Sequence, residues 1–150
     1  MKLSLLRSFF FKAFDYLTTK KYDDEYLGWL RFANAGMLNS GNVYLMKYAI
    51  ERLPSDDPII EIGSFCGKSS IYMGIAAQKM NQVVYTIDHH RGSEEHQLNE
   101  EYFDPEIYDK ELNEVNSFPL FMKNIRSFDL ENTIIPIVSS SAIASKGWNN

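Results

Sequence analysis

The sequence predicts an α/β domain over residues 56–150, with a helical segment over residues 1–55 ahead of it. Three observations predict it. Apolar runs rich in β-branched residues stand at Pro58–Gly63, Gln82–Asp88 and Thr133–Val138. Stripes of helical period lie between them. The first run ends on a glycine turn and the second on a carboxylate, as parallel strands do where open α/β sheets bind cofactors.

The elements follow in order. Met1–Phe14 holds Leu3, Leu5, Leu6, Phe9, Phe10, Phe11 and Phe14, broken by Arg7 and Lys12. That is no signal-type apolar core, and no run of about 18 apolar residues exists to span a bilayer. The segment is expected to pack on the domain or on a partner chain, which leaves homo-oligomers open. Contact with a membrane surface is the sharper alternative. Tyr26–Asn34 reads as helix and Leu38–Asn42 as a turn. Met46, Ala49, Ile50 and Leu53 then mark a second helix, and Pro54–Pro58 a linker.

Strand one runs into Gly63-Ser64-Phe65-Cys66-Gly67-Lys68-Ser69. Three glycine-loop chemistries compete for this turn. A phosphate loop needs glycine five residues before Gly67, where Ile62 stands instead. A dinucleotide fingerprint needs glycine at 65 and 68, where Phe65 and Lys68 stand. The pattern that remains is acid-x-Gly-x-x-x-Gly-x-Ser, carried by Glu61, Gly63, Gly67 and Ser69. Ile71, Ile75 and Met80 are expected on the inner side of the following helix. Strand two ends on Asp88, near the offset of a ribose-binding acid in a βαβ unit.

The Glu61–Ser69 pattern resembles motif I of class I S-adenosylmethionine-dependent methyltransferases, and aromatic-Cys-Gly in the turn is closest to the small-molecule O-methyltransferases. With Asp88-His89-His90-Arg91-Gly92-Ser93-Glu94-Glu95-His96, the chain is similar, from about Gly36 to Trp148, to the macrocin O-methyltransferase and cephalosporin hydroxylase-like branch. The resemblance implies a Rossmann-like sheet with strands ordered 3-2-1 and S-adenosylmethionine as cofactor. It places the cofactor's methionine part over Gly63, its carboxylate at Ser69 and its loop waters at Glu61. Ser64 and Gly67 complete the turn, and Asp88 takes the ribose. Strand three is followed by Ser139-Ser140-Ser141, where the family has Gly-Asp-Ser. Ser140 then meets the adenine with a hydroxyl in place of a charged acceptor. Pro136 suits an edge strand, since it cannot donate to a ladder.

Residues 91–115 form an acidic insert with nine acids against two bases, which carries the whole net negative charge of the chain. It is either a solvated loop or a lid anchored by Tyr102, Phe103 and Tyr108. His90 and His96 are candidates for a general base on an acceptor hydroxyl. A metal shared by His89, His90 and His96 with Glu94 or Glu95 matches no standard spacing, so no metal site is assigned in this chain. A helix is expected from Phe118 to Phe128, with Phe118, Phe121, Met122 and Ile125 on one face and Asn116 or Ser117 as its cap.

Composition bounds the function. A chain of 150 residues at net charge −5 is no nucleic-acid binder relying on a basic surface. Its single cysteine, Cys66, excludes an internal disulfide and fits a reducing, cytoplasmic setting, where a packing role is favoured over a reactive thiol. The expected activity is methyl transfer to an oxygen of a small molecule or sugar. The strand that should pair with the free side of strand one is absent, so the sequence reads as the cofactor half of a longer protein. A divalent metal in that longer protein stays open. Two other classes do too: a nucleotide-phosphate enzyme using Gly67-Lys68-Ser69, and a non-catalytic cofactor-binding or assembly module.

Overall fold

The computed structural model describes Met46, residues 49–52 and residues 57–148. The expectations for the first 45 residues, for Leu53 and for most of the linker lie outside the described residues. Met46 and residues 49–52 are helical, with Ile50 buried against the core.

Three parallel strands form the sheet: β1 (Ile59–Ile62), β2 (Val84–Asp88) and β5 (Ile134–Val138), in the order β1-β2-β5. This is the expected 3-2-1 arrangement, with a helix in each crossover. Ile60, Tyr85 and Ile135 stand in one register row, and Glu61, Thr86 and Pro136 in the next. Pro136 therefore lies on an outer strand, as its missing donor requires.

Helix α1 (Lys68–Lys79) follows the glycine turn and packs on one face of the sheet. Its inner side is wider than the expected stripe: Ile71, Tyr72, Met73, Ala76 and Ala77 are all buried. Met80 is not part of it. It caps the helix C-terminus and is exposed, because the helix ends one residue before it. Helix α2 (Phe118–Arg126) starts with Pro119 near its N-terminus and buries Phe121 and Ile125. The Asn116 side chain accepts from the Phe118 N–H at 3.3 Å, whereas the Ser117 hydroxyl is turned elsewhere. Ile71, Tyr72, Ala76, Phe121, Ile125, Leu130, Val84 and Ile134 form the main core.

The opposite sheet face is thinly covered. Ile60 and Ile62 are 49% and 68% exposed, and Trp148 meets Tyr85 edge-on at 6.2 Å. The helix α3 (Ser141–Ala144) begins directly after β5. Among the described residues, β1 has no strand on its outer side.

The acidic insert is folded. Two short 3-10 turns (Glu94–His96 and Pro105–Ile107) and a small hairpin of β3 (Tyr108–Asp109) with β4 (Glu114–Val115) organise it. Ile107 and Val115 bury themselves against Cys66, forming a second, smaller core directly on the glycine turn. That anchors the insert more than Tyr102 does, which is 45% exposed. Among the described residues no helix is long and apolar enough to cross a membrane.

Candidate functional site

The strand-to-helix turn is wound through three left-handed residues, Gly63 (φ 85°), Phe65 (φ 47°) and Gly67 (φ 87°). Gly63 is required by its φ alone. A Cβ there would meet nothing within 4 Å, so the backbone faces open cleft. Gly67 is required twice over, since a Cβ would also lie 3.0 Å from the Phe121 ring. Phe65 has no such excuse. A bulky side chain at positive φ costs on the order of 1–3 kcal/mol and has to be held by its surroundings.

Asp88 is what holds it. Its Oδ2 accepts from the Phe65 N–H at 2.7 Å and its Oδ1 from the His90 N–H at 2.7 Å. One carboxylate thus ties the tip of β2 to the loops on both sides. The Ser139 N–H donates to the Asp88 carbonyl at 3.0 Å, drawing the end of β5 to the same point.

These elements enclose a cleft of about 990 Å³ above the carboxyl ends of the strands. That volume is at the upper end of the range for small-molecule sites. Of the cofactor residues read from the sequence, Gly63, Ser64, Ser69, Asp88 and Ser140 border it. Glu61 and Gly67 lie beneath. Ser64 is buried at 3% exposure, and its hydroxyl has no hydrogen-bond partner. A buried, unpaired hydroxyl beside a cleft is a costly arrangement.

Glu61 is buried on the α1 side of the sheet, where the hydroxyls of Ser69 and Ser70 each donate to one of its carboxylate oxygens. Desolvation raises its pKa. The two serine bonds oppose that shift, and the nearby Asp88 charge adds to it. With its proton directed at Glu61, the Ser69 hydroxyl offers the cleft lone pairs. An anion at this end would therefore be met by the N-terminal end of α1 and not by that hydroxyl. Ser140 uses its carbonyl to accept from Ile143 and Ala144, and its hydroxyl makes no capping bond.

The two histidine candidates separate. His90 is 3% exposed, packs against both Phe118 and Phe121, and pairs its Nδ1 with the Ser117 hydroxyl at 2.9 Å. Burial, opposed by the Asp88 charge, lowers its pKa. It sits under the site as a packing residue and does not border the cleft, so it is not placed to take a substrate proton. His96 does border it, packed against Phe65 with the rings tilted by 40° and their centres 4.9 Å apart.

Sequence reasoning missed His89, Lys68 and Phe65 as cleft residues, whereas Tyr102 and Phe103, expected as lid anchors, do border the cleft beside Phe65. Phe65 was legible in one respect, since an aromatic residue inside a glycine turn must go somewhere. Cys66 is 1% exposed, and burial, followed by the charges of Asp104 and Asp88, pushes its thiol up to about 12. It is a packing group. Among the described residues, no three metal-ligating side chains gather at one point.

No protein-family model matches the chain. Among solved structures, it is similar to a Staphylococcus aureus protein provisionally assigned as a caffeoyl-CoA O-methyltransferase. The TM-score is 0.54 at 18% identity, over 84% of this chain and 48% of that one. The fold is the Rossmann-like methyltransferase fold. At that identity the likeness speaks for the fold, and the chain spans about half the length of the structure it matches.

Proposed function

We propose that this chain is the cofactor-binding part of an S-adenosylmethionine-dependent methyltransferase acting on an oxygen of a small molecule or sugar. The observation that carries the reading is the Gly63–Ser64 wall. An open backbone surface at Gly63 and an unpaired buried hydroxyl at Ser64 stand where the sequence pattern expects the methionine part of the cofactor. The resemblance to the macrocin-type branch rests on the glycine-turn motif together with the run that begins at Asp88, of which Arg91–His96 is the most branch-specific part.

The residues fit the group. The N-terminal end of α1 would hold its carboxylate, Ser64 would pair with its polar amino-acid end, and Asp88 would hold the ribose. Ser140 and His89 border the adenine side. When bound, S-adenosylmethionine supplies a sulfonium methyl for in-line transfer to an oxygen. The chain's own work is orientation and exclusion of water. Asp88 fixes the loops on both sides of the cleft, and Phe65, Tyr102 and Phe103 give it a dry wall.

The 48% span of the matched structure supports a role as one part of a larger catalytic unit. Groups that select the acceptor and take its proton would then come from outside the described residues. The first test is competitive binding. S-adenosylhomocysteine should bind the full-length chain, and NAD and ATP should not displace it. ATP binding lost in Lys68→Ala would overturn this reading in favour of a phosphate loop.

A further inference from the structure

Two of the three histidines border the cleft, His89 and His96, and in both the backbone of their own loop decides which ring nitrogen carries the proton. The Arg91 N–H donates to His89 Nδ1 at 3.0 Å, and the Ser93 N–H donates to His96 Nδ1 at 3.3 Å. A backbone N–H can only donate, and the peptide plane fixes its direction. The nitrogen that receives it must present a lone pair. Neutral His96 therefore carries its proton on Nε2. The Ser93 hydroxyl, 2.7 Å from the same Nδ1, can rotate and donate to it as well.

The ring has little freedom. Ser93 and His96 form a reciprocal cap on the 3-10 turn they flank. Gly92 approaches so closely that a Cβ there would lie 2.9 Å from His96 Cβ. Phe65 packs against the ring at a tilt, 4.9 Å between centres, and Tyr102 lies 6.3 Å away. Nδ1 is occupied by Ser93, so Nε2 is the ring nitrogen left for a ligand.

A general base would need the reverse arrangement, a bare nitrogen toward the cleft. We propose that His96 is a hydrogen-bond donor, through Nε2–H, to the nucleoside end of the ligand in this cleft, and that it is not the proton acceptor of the reaction. The choice of the nucleoside end follows from Phe65. The residue packed against His96 is the one whose N–H is clamped by Asp88 Oδ2. His96 thus stands one ring away from the carboxylate assigned to the ribose, where a nucleoside presents oxygen and ring-nitrogen lone pairs. The identity of the ligand rests on the S-adenosylmethionine reading, whereas the tautomer does not.

The test has two arms. In the first, nitrogen-15 NMR of histidine-labelled free protein, with resonances assigned by single substitutions, should show His96 Nε2 protonated and Nδ1 bare. A proton on Nδ1 overturns the inference whatever the cofactor. In the second, S-adenosylhomocysteine is titrated into His96→Asn and His96→Gln. Asparagine keeps an acceptor for the Ser93 N–H but has no donor at the ε position, so affinity should fall about five- to ten-fold. Glutamine can place an amide N–H near that position and should lose clearly less. His96→Asn binding as tightly as the unaltered chain would reduce His96 to a loop cap and overturn the contact. If the unaltered chain fails to bind, the S-adenosylmethionine reading falls, while the first arm still decides between donor and base.

Discussion

Asp88→Asn should destabilise the empty protein by about 2–4 kcal/mol, before any ligand is considered. The carboxylate receives two backbone N–H groups at 2.7 Å, one on each oxygen. Hydrogen bonds to a charged group contribute roughly 1.5–3 kcal/mol each, and leaving a donor facing another donor adds a desolvation cost. Asparagine can accept from Phe65 or from His90 but not from both, because its second atom is an NH2. Phe65, at a positive φ, loses what holds it if the amide faces that way. In a chain of this size each kcal/mol is about 2–4 °C in Tm, so a drop of roughly 5–15 °C is expected. The assay is urea unfolding without ligand, with an unchanged m-value and a lower midpoint. A change under about 0.5 kcal/mol would refute the clamp, and with it the account of how the two loops are held. The result also matters for any binding experiment, since lost affinity in an Asp88 variant mixes ribose contact with loop order.

Three further outcomes follow from named contacts. Glu61 has a pKa raised by burial, so the folded state holds that proton more tightly than the unfolded chain does. Its contribution is fully present at low pH and is lost as pH rises from the ordinary carboxylate range through the raised value. Glu61→Gln should therefore flatten the fall in stability as pH rises above the ordinary carboxylate range, measured by urea unfolding; an unchanged slope contradicts it. Gly67→Ala should cost more than about 1–3 kcal/mol, from the φ of 87° and the 3.0 Å approach to Phe121. Adding Phe121→Leu should return part of that loss, and a strictly additive double variant would show that the ring is not the obstacle. Cys66, with its thiol pushed up to about 12 behind the insert, should react with a disulfide reagent at pH 8 only as fast as the protein opens. Rapid stoichiometric release of the reporter thiolate from the native protein would contradict its burial.

The strands and the turn were legible because each depends on local chemistry, whereas the 3-2-1 order came from the family resemblance. β-branched runs ending in glycine or a carboxylate admit few arrangements, and Pro136 marked the edge. The cofactor residues split according to a property that spacing does not encode. Glu61 and Gly67 fall beneath the cleft, while Gly63, Ser64, Ser69, Asp88 and Ser140 border it. Ser69 was read as a donor to an anion, but the residue that receives its proton is Glu61, eight positions away and brought close only by the turn. His90 and His96 look alike in sequence. A left-handed backbone at His90 (φ 60°) sends one ring under the sheet tip, and the Ser93 cap keeps the other at the surface. The insert was ambiguous because nine acids suggest solvent, whereas two apolar residues, Ile107 and Val115, suffice to pin it onto Cys66.

Ser64 offers the most direct test of the cofactor site, because its buried hydroxyl has no partner of its own. The measurement is calorimetric titration of S-adenosylhomocysteine into the chain and into Ser64→Ala, with unfolding of both followed in the absence of ligand. The account predicts that Ser64→Ala is as stable as the original or slightly more so, yet binds about five- to ten-fold more weakly. Absence of binding by the original chain, or equal binding by Ser64→Ala, would contradict it.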